Sequence, residues 1–201
     1  MIKNLNNTPK ATALSFQGLL FKDYRLYLFV AVLIALDVWF PLLLHQFNIA
    51  GAIFLPMQFL VLLGGLALGW RAGLLIGLLT PLLSHVTSGM PLLVLLPQIT
   101  IENSVYGFTA GVLRERFNLS VFKSLLCSML IGRIALLLAV TFIYWNNDIP
   151  IPMVASWLRP ASNTSLAYLW AVIIQGLPGI VIQLMLLPLL TGVADRWLQK
   201  R

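Results

Sequence analysis

The chain is 201 residues long, 60% hydrophobic and only 9% charged, with a formal net charge of +7, and its mean hydropathy is +0.93. So apolar a composition cannot clothe a water-facing surface, which excludes an ordinary soluble domain and makes lipid the expected solvent. Lipid forces every backbone N–H and C=O to pair internally, and the long apolar runs lack a sustained period of two, so an all-α bundle is expected instead of a barrel.

Residues 1–20 are polar and basic and lack a compact apolar stretch with a small-residue cleavage site, so no cleaved signal peptide is expected and the first helix directs insertion. That helix is predicted over Leu26–Leu44. After a loop containing Gln46, Asn48 and Gly51, a second runs from Phe54 to Gly69, and Gly69-Trp70-Arg71-Ala72-Gly73 reads as a tight reversal. A third helix over Leu74–Val86 ends at Thr87-Ser88-Gly89-Met90-Pro91. Leu92–Leu113, Val121–Trp145 and Leu166–Leu190 complete the set, each near the roughly 20 residues that cross a bilayer core. The second and third are shorter and hold Gly64, Gly65, Gly77 and Pro81, a pattern of close packing, kinks or tilt. The expectation is one membrane domain over 1–201: a cytoplasmic segment at 1–25, a six-helix transmembrane bundle over 26–198, and both termini in the cytoplasm.

Basic residues support that orientation. With the amino terminus inside, all 13 lysines and arginines except Arg133 and Arg159 fall on the cytoplasmic side, as the positive-inside rule requires. Positive charge is therefore topological, and because it is scattered over short loops no nucleic-acid role is expected. Lone Cys127 sits in an apolar run and reads as a small packing residue.

Charges within a bilayer cost on the order of 2.5 to 3.5 kcal/mol each, so Asp37, Glu102 and Arg133 require an account. Glu102 and Arg133 are predicted at matched depths, roughly 16 to 18 Å below the outer ends of their helices at 1.5 Å per residue, and so are expected to meet. Two roles stay open: an ion pair that fixes helix register, or part of a substrate site. Gln98, Glu102 and Tyr106, at i, i+4 and i+8, share one helical face with Asn103 beside it, and such a line of amide, carboxylate and phenol suits a polar solute in a wet cavity. Gln58 and Gln175 could add amides, although each glutamine alone reads first as interhelical glue.

Other chemistry lacks its motifs. His45 and His85 have no cysteine cluster, H-E-x-x-H or carboxylate-rich loop around them, so no metal and no cofactor are expected. Ser84 beside His85 points about 100 degrees away from it, and no G-x-S-x-G elbow is present. The phosphate loop G-x-x-x-x-G-K-[ST] is absent too, so the chain is not expected to hydrolyse ATP or to be an enzyme. Ala31 and Ala35 form a small-x-x-x-small pair on the first helix, equally suited to internal packing and to a partner subunit. The segment from Asn146 to Asn163, with Asp148, Trp157, Arg159 and three prolines, reads either as an outer cap or as a solvated connector.

Taken in order, Phe54-Leu55-Pro56-Met57-Gln58, Gly64-Gly65-Leu66-Ala67-Leu68-Gly69-Trp70-Arg71-Ala72-Gly73, Thr80-Pro81-Leu82-Leu83-Ser84, Ser88-Gly89-Met90-Pro91, then Glu102, Tyr106-Gly107, Gly111 and Gly132-Arg133-Ile134 cover about half the chain. This series resembles the substrate-binding S component of energy-coupling factor (ECF) vitamin transporters. The resemblance implies a six-helix protein of the prokaryotic plasma membrane that captures a vitamin or precursor from outside and breaks no bond. It also implies a transmembrane coupling subunit docked at Ala31 and Ala35, two cytoplasmic ATPases that supply the missing ATP chemistry, and toppling of the S component to release its cargo. Leu96-Pro97-Gln98 stands where the family would have a methionine-rich run. The competing readings are a stand-alone carrier or channel, against which no internal repeat is seen, and an intramembrane enzyme.

Overall fold

The structure, a computed structural model, describes residues 21, 24–46, 56–145 and 165–199, with backbone alone at 41–46, 56, 144–145 and 193–199. Six α-helices and no strand occur among the described residues: α1 (Tyr24–Gln46), α2 (Pro56–Leu68), α3 (Trp70–Ser88), α4 (Leu96–Glu115), α5 (Val121–Trp145) and α6 (Ser165–Gln199). The all-α expectation holds. His45's side chain, the loop from Asn48 to Gly51, and the 146–163 segment with Asp148, Trp157 and Arg159 lie outside the described residues.

Side chains are distributed the wrong way round for water. Trp39, Leu130, Phe142, Trp170 and Met185 point outward and exposed, while Gln58, Gln98, Glu102, Gln175 and Gln183 are buried. An apolar exterior around a polar interior is what a lipid solvent selects. Two helical stretches, Val121–Ile143 and Ser165–Gly192, are long and apolar enough to cross a bilayer, and Met57–Leu68 is a shorter apolar helix. Cys127 belongs to the exterior: it is exposed on α5, contrary to the packing role expected of it, because its stretch of α5 buries Leu125, Ser128 and Met129 on the opposite side.

The centre is a three-helix seam of α2, α3 and α4, which α1 covers on one side while α5 packs on α4 and α6 packs on α5 and α2. Glycine makes the seam. A Cβ on Gly73 or Gly65 would overlap the Gly107 backbone, one on Gly77 the Asn103 backbone, and one on Gly111 the Trp70 backbone. The helices therefore touch main chain to main chain, which only small residues allow.

Three boundaries differ from the sequence reading. The reversal between α2 and α3 is confined to Gly69, at φ 95 and ψ 175, a conformation essentially restricted to glycine. Trp70 to Gly73 already belong to α3, which is thus 19 residues long instead of a short helix. At the other end, α4 begins at Leu96, not Leu92. The Leu92 carbonyl accepts from the N–H groups of Leu95 and Leu96 in a turn, and Pro97 occupies the first turn of the helix, where its missing N–H and fixed φ do no harm. Finally, α6 continues past Leu190 to Gln199.

Gly89 closes α3 in the left-handed conformation, its N–H donating to the His85 carbonyl. His85 itself serves this loop: its Nδ1 donates to the Pro91 carbonyl at 2.8 Å.

Candidate functional site

Glycine also places the site. A Cβ on Gly132 would overlap the Tyr106 ring, so the bare backbone of α5 is the seat on which that ring lies. Seated there, the Tyr106 hydroxyl donates to Glu102 Oε1 at 2.9 Å, one turn away on the same helix. Arg133, the residue after Gly132, donates from Nη1 to the same Glu102 oxygen at 2.6 Å. Its guanidinium carbon lies 6.0 Å from the Tyr106 ring centroid, within reach of the ring's negative face.

The two expected charges therefore meet, although not at the depth argued for them. With α4 starting at Leu96, Glu102 is only about 9 Å into its helix at 1.5 Å per residue, while Arg133 is about twice as far from the end of α5. The turn at 92–95 accounts for the difference by carrying the chain through a level that the sequence reading gave to helix.

Around the pair, the predicted face of α4 is the buried one: Gln98 and Tyr106 are fully buried and Asn103 and Glu102 nearly so. Gln58 of α2 lies against the Tyr106 hydroxyl, bringing a third helix to the group. Gln98, one turn from Glu102, donates from Nε2 to the Tyr168 hydroxyl of α6 at 2.7 Å. Gln175 is buried on α6, and no hydrogen bond among the described residues joins it to Glu102 or Arg133. Asn103 meets α3 through its main chain, on Gly77.

This group carries unanswered hydrogen-bonding capacity. Among the described residues, Arg133 Nη2, Gln58 Nε2, Gln98 Oε1 and Gln175 Oε1 are buried with no partner. A buried donor or acceptor left unpaired costs about 1 to 3 kcal/mol, more when charged, so each of these atoms calls for a partner. Two of the four atoms donate and two accept, and Glu102 cancels Arg133's charge. The arrangement can bind a polar solute of low net charge; it holds no nucleophile aligned with a base.

A second ion pair lies at the Gly69 end. Arg71 Nη1 contacts Glu115 Oε1 at 3.2 Å, Glu115 also accepts from the Trp70 N–H, and the Arg71 guanidinium stacks 4.7 Å from the Trp70 ring centroid. Sequence reasoning assigned Arg71 to a loop and did not pair it. Tyr168 was missed as well; its only signal was a hydroxyl two turns from buried Gln175 in an otherwise apolar helix start.

Ala31 and Ala35 are exposed on α1, so this pair is not used for packing within the bundle. Searches of curated proteins and of solved structures return no match. A family model described as "ECF transporter, substrate-specific component" matches residues 28–191, a span that contains all six helices in whole or part and every site residue above. The chain belongs to the ECF transporter substrate-specific components, membrane transport proteins that bind a substrate and are not enzymes.

Proposed function

We propose that this protein is the substrate-capturing S component of a prokaryotic ECF importer, spanning the plasma membrane six times with both termini in the cytoplasm. The whole chain acts as one membrane domain. It binds a water-soluble vitamin or precursor from outside at a site formed by Gln58, Gln98, Glu102, Asn103, Tyr106, Arg133 and Gln175. Delivery follows through a coupling subunit docked on the exposed Ala31 and Ala35 face of α1 and driven by two cytoplasmic ATPases.

The observation that carries this reading is the buried Glu102–Arg133 pair together with the unpartnered polar atoms of Arg133, Gln58, Gln98 and Gln175 on the surrounding helices. Their complement in a vitamin-like solute is a mixed edge of hydrogen-bond donors and acceptors. Orientation rests on charge, since the Gly69 end also carries Arg71, Arg114 and Arg116, as a cytoplasmic face should.

The test is binding of a vitamin panel (folates, pantothenate, cobalamin, thiamine precursors) by the purified protein, beside Glu102→Ala and Arg133→Ala. Loss of binding by at least one variant, with folding monitored in parallel, is expected; unchanged affinity in both removes the site. Co-expression with a coupling subunit and ATPases should yield a stable complex, whereas a free-standing carrier would purify alone.

A further inference from the structure

Asp37 takes no part in the site above and has a more severe problem than any residue in it. Its side chain is wholly buried, and neither carboxyl oxygen has a hydrogen-bond partner among the described residues. An ionised carboxylate without a counter-charge is untenable in such a place.

The helices packed on α1 are chiefly α2 and α3. No titratable residue occurs on α2. On α3 the ionisable residues are Arg71 and His85, and both are engaged elsewhere, with Glu115 and with the Pro91 carbonyl. Arg133, the buried cation of the bundle core, is committed to Glu102. Among the described residues, no basic side chain answers Asp37.

What stands beside the carboxyl is the Thr80 hydroxyl of α3, itself fully buried and completing no hydrogen bond. Pro81 follows within the helix. Proline has no N–H, so the carbonyl four residues back, that of Gly77, loses its regular helical donor. Asp37 and Thr80 thus bring together two carboxyl oxygens and a hydroxyl, the threonine proton being the one donor among them, and the freed carbonyl lies three residues before Thr80 on the same helix. Carboxylate, hydroxyl and freed helix carbonyl are the oxygen ligands that hard monovalent cations and protons use inside membrane bundles.

We propose that Asp37, Thr80 and the Gly77 carbonyl form a station for one monovalent cation, H⁺ or Na⁺, between α1 and α3. Filling it supplies the positive charge that no described side chain provides and fastens α1 to the seam. Because Ala31 and Ala35 lie on the exposed face of the same helix, occupancy adjusts the pose in which α1 meets a neighbour.

The full-length protein in detergent, with no solute added, is sufficient for the test. Its thermal midpoint is followed against sodium concentration, with choline replacing sodium at constant ionic strength, and separately against pH. Whatever binds only the folded form raises the midpoint until the site saturates. A sodium station gives a saturable rise with sodium, and a proton station a rise as pH falls with no sodium response. In either case Asp37→Asn, which keeps the shape but not the charge, loses that response while remaining folded, and Glu115→Gln, at a partly exposed carboxylate outside the site, retains it. For sodium, Thr80→Val also raises the concentration needed. A wild type indifferent to both cations, or an Asp37→Asn protein that responds as the wild type does, overturns the proposal.

Discussion

The two ends of the α2–α3–α4 seam are built from opposite materials. At the Gly69 end, Gly65, Gly73, Gly107 and Gly111 bring backbones into contact, and the ion pair of Arg71 with Glu115 there is partly exposed and covered by Trp70. Toward the Gly89 end the glycines give way to Glu102, Gln98, Gln58 and Thr80, whose polar atoms are buried and incompletely paired. One end is closed by removing side chains; the other buries polar side chains whose hydrogen bonding is incomplete.

Breaking the polar end should have the largest effect. Arg133→Ala leaves Glu102 buried and uncompensated, and about 3 to 5 kcal/mol of stability should be lost, read as a lowered thermal midpoint. Wedging the closed end apart comes next. Gly73→Ala forces a Cβ into the Gly107 backbone, and a loss of about 1 to 3 kcal/mol is expected, with poorer recovery of folded protein from the membrane. Smaller still is Gly132→Ala, where the obstruction is a ring that can shift: about 1 kcal/mol, with a disproportionate loss of solute affinity because Tyr106 and Arg133 are displaced together. Least of all, Arg71→Ala should change stability by about 0 to 1 kcal/mol, as partly exposed pairs do, and leave solute binding unaltered. A reversed ranking of Arg71→Ala and Arg133→Ala would erase the distinction between the two ends.

Much of this was written in the sequence because lipid is an exacting solvent. A carboxylate and a guanidinium in apolar runs had few options but to meet, and the spacing of Gln98, Glu102 and Tyr106 put them on one face whatever surrounded them. Helix ends were harder. Leu92-Leu93-Val94 is as apolar as the helix it precedes, so hydropathy could not separate turn from helix; Pro97 was the signal, since it is comfortable only in a first turn. Gly69 was hidden among neighbouring glycines, and only its positive φ distinguishes it from Gly73, whose smallness serves packing. Tyr168 escaped because an aromatic near a helix start reads as an interfacial anchor, and its bond to Gln98 spans 70 positions in sequence, a separation that no local pattern encodes. Asp37 was legible as a problem, and its neighbour Thr80 was not legible as the answer.

The most direct test uses a protein in which neither charge is left stranded. The double variant Glu102→Gln with Arg133→Met removes the pair while keeping volume, a change that is often neutral for stability. Solute retained through native purification is then identified by mass spectrometry in the wild type and sought in the variant. A variant that folds with a thermal midpoint near wild type and has lost the solute is the predicted result. A folded variant that carries the same solute at undiminished occupancy would show that the pair merely sets helix register, and would contradict the account.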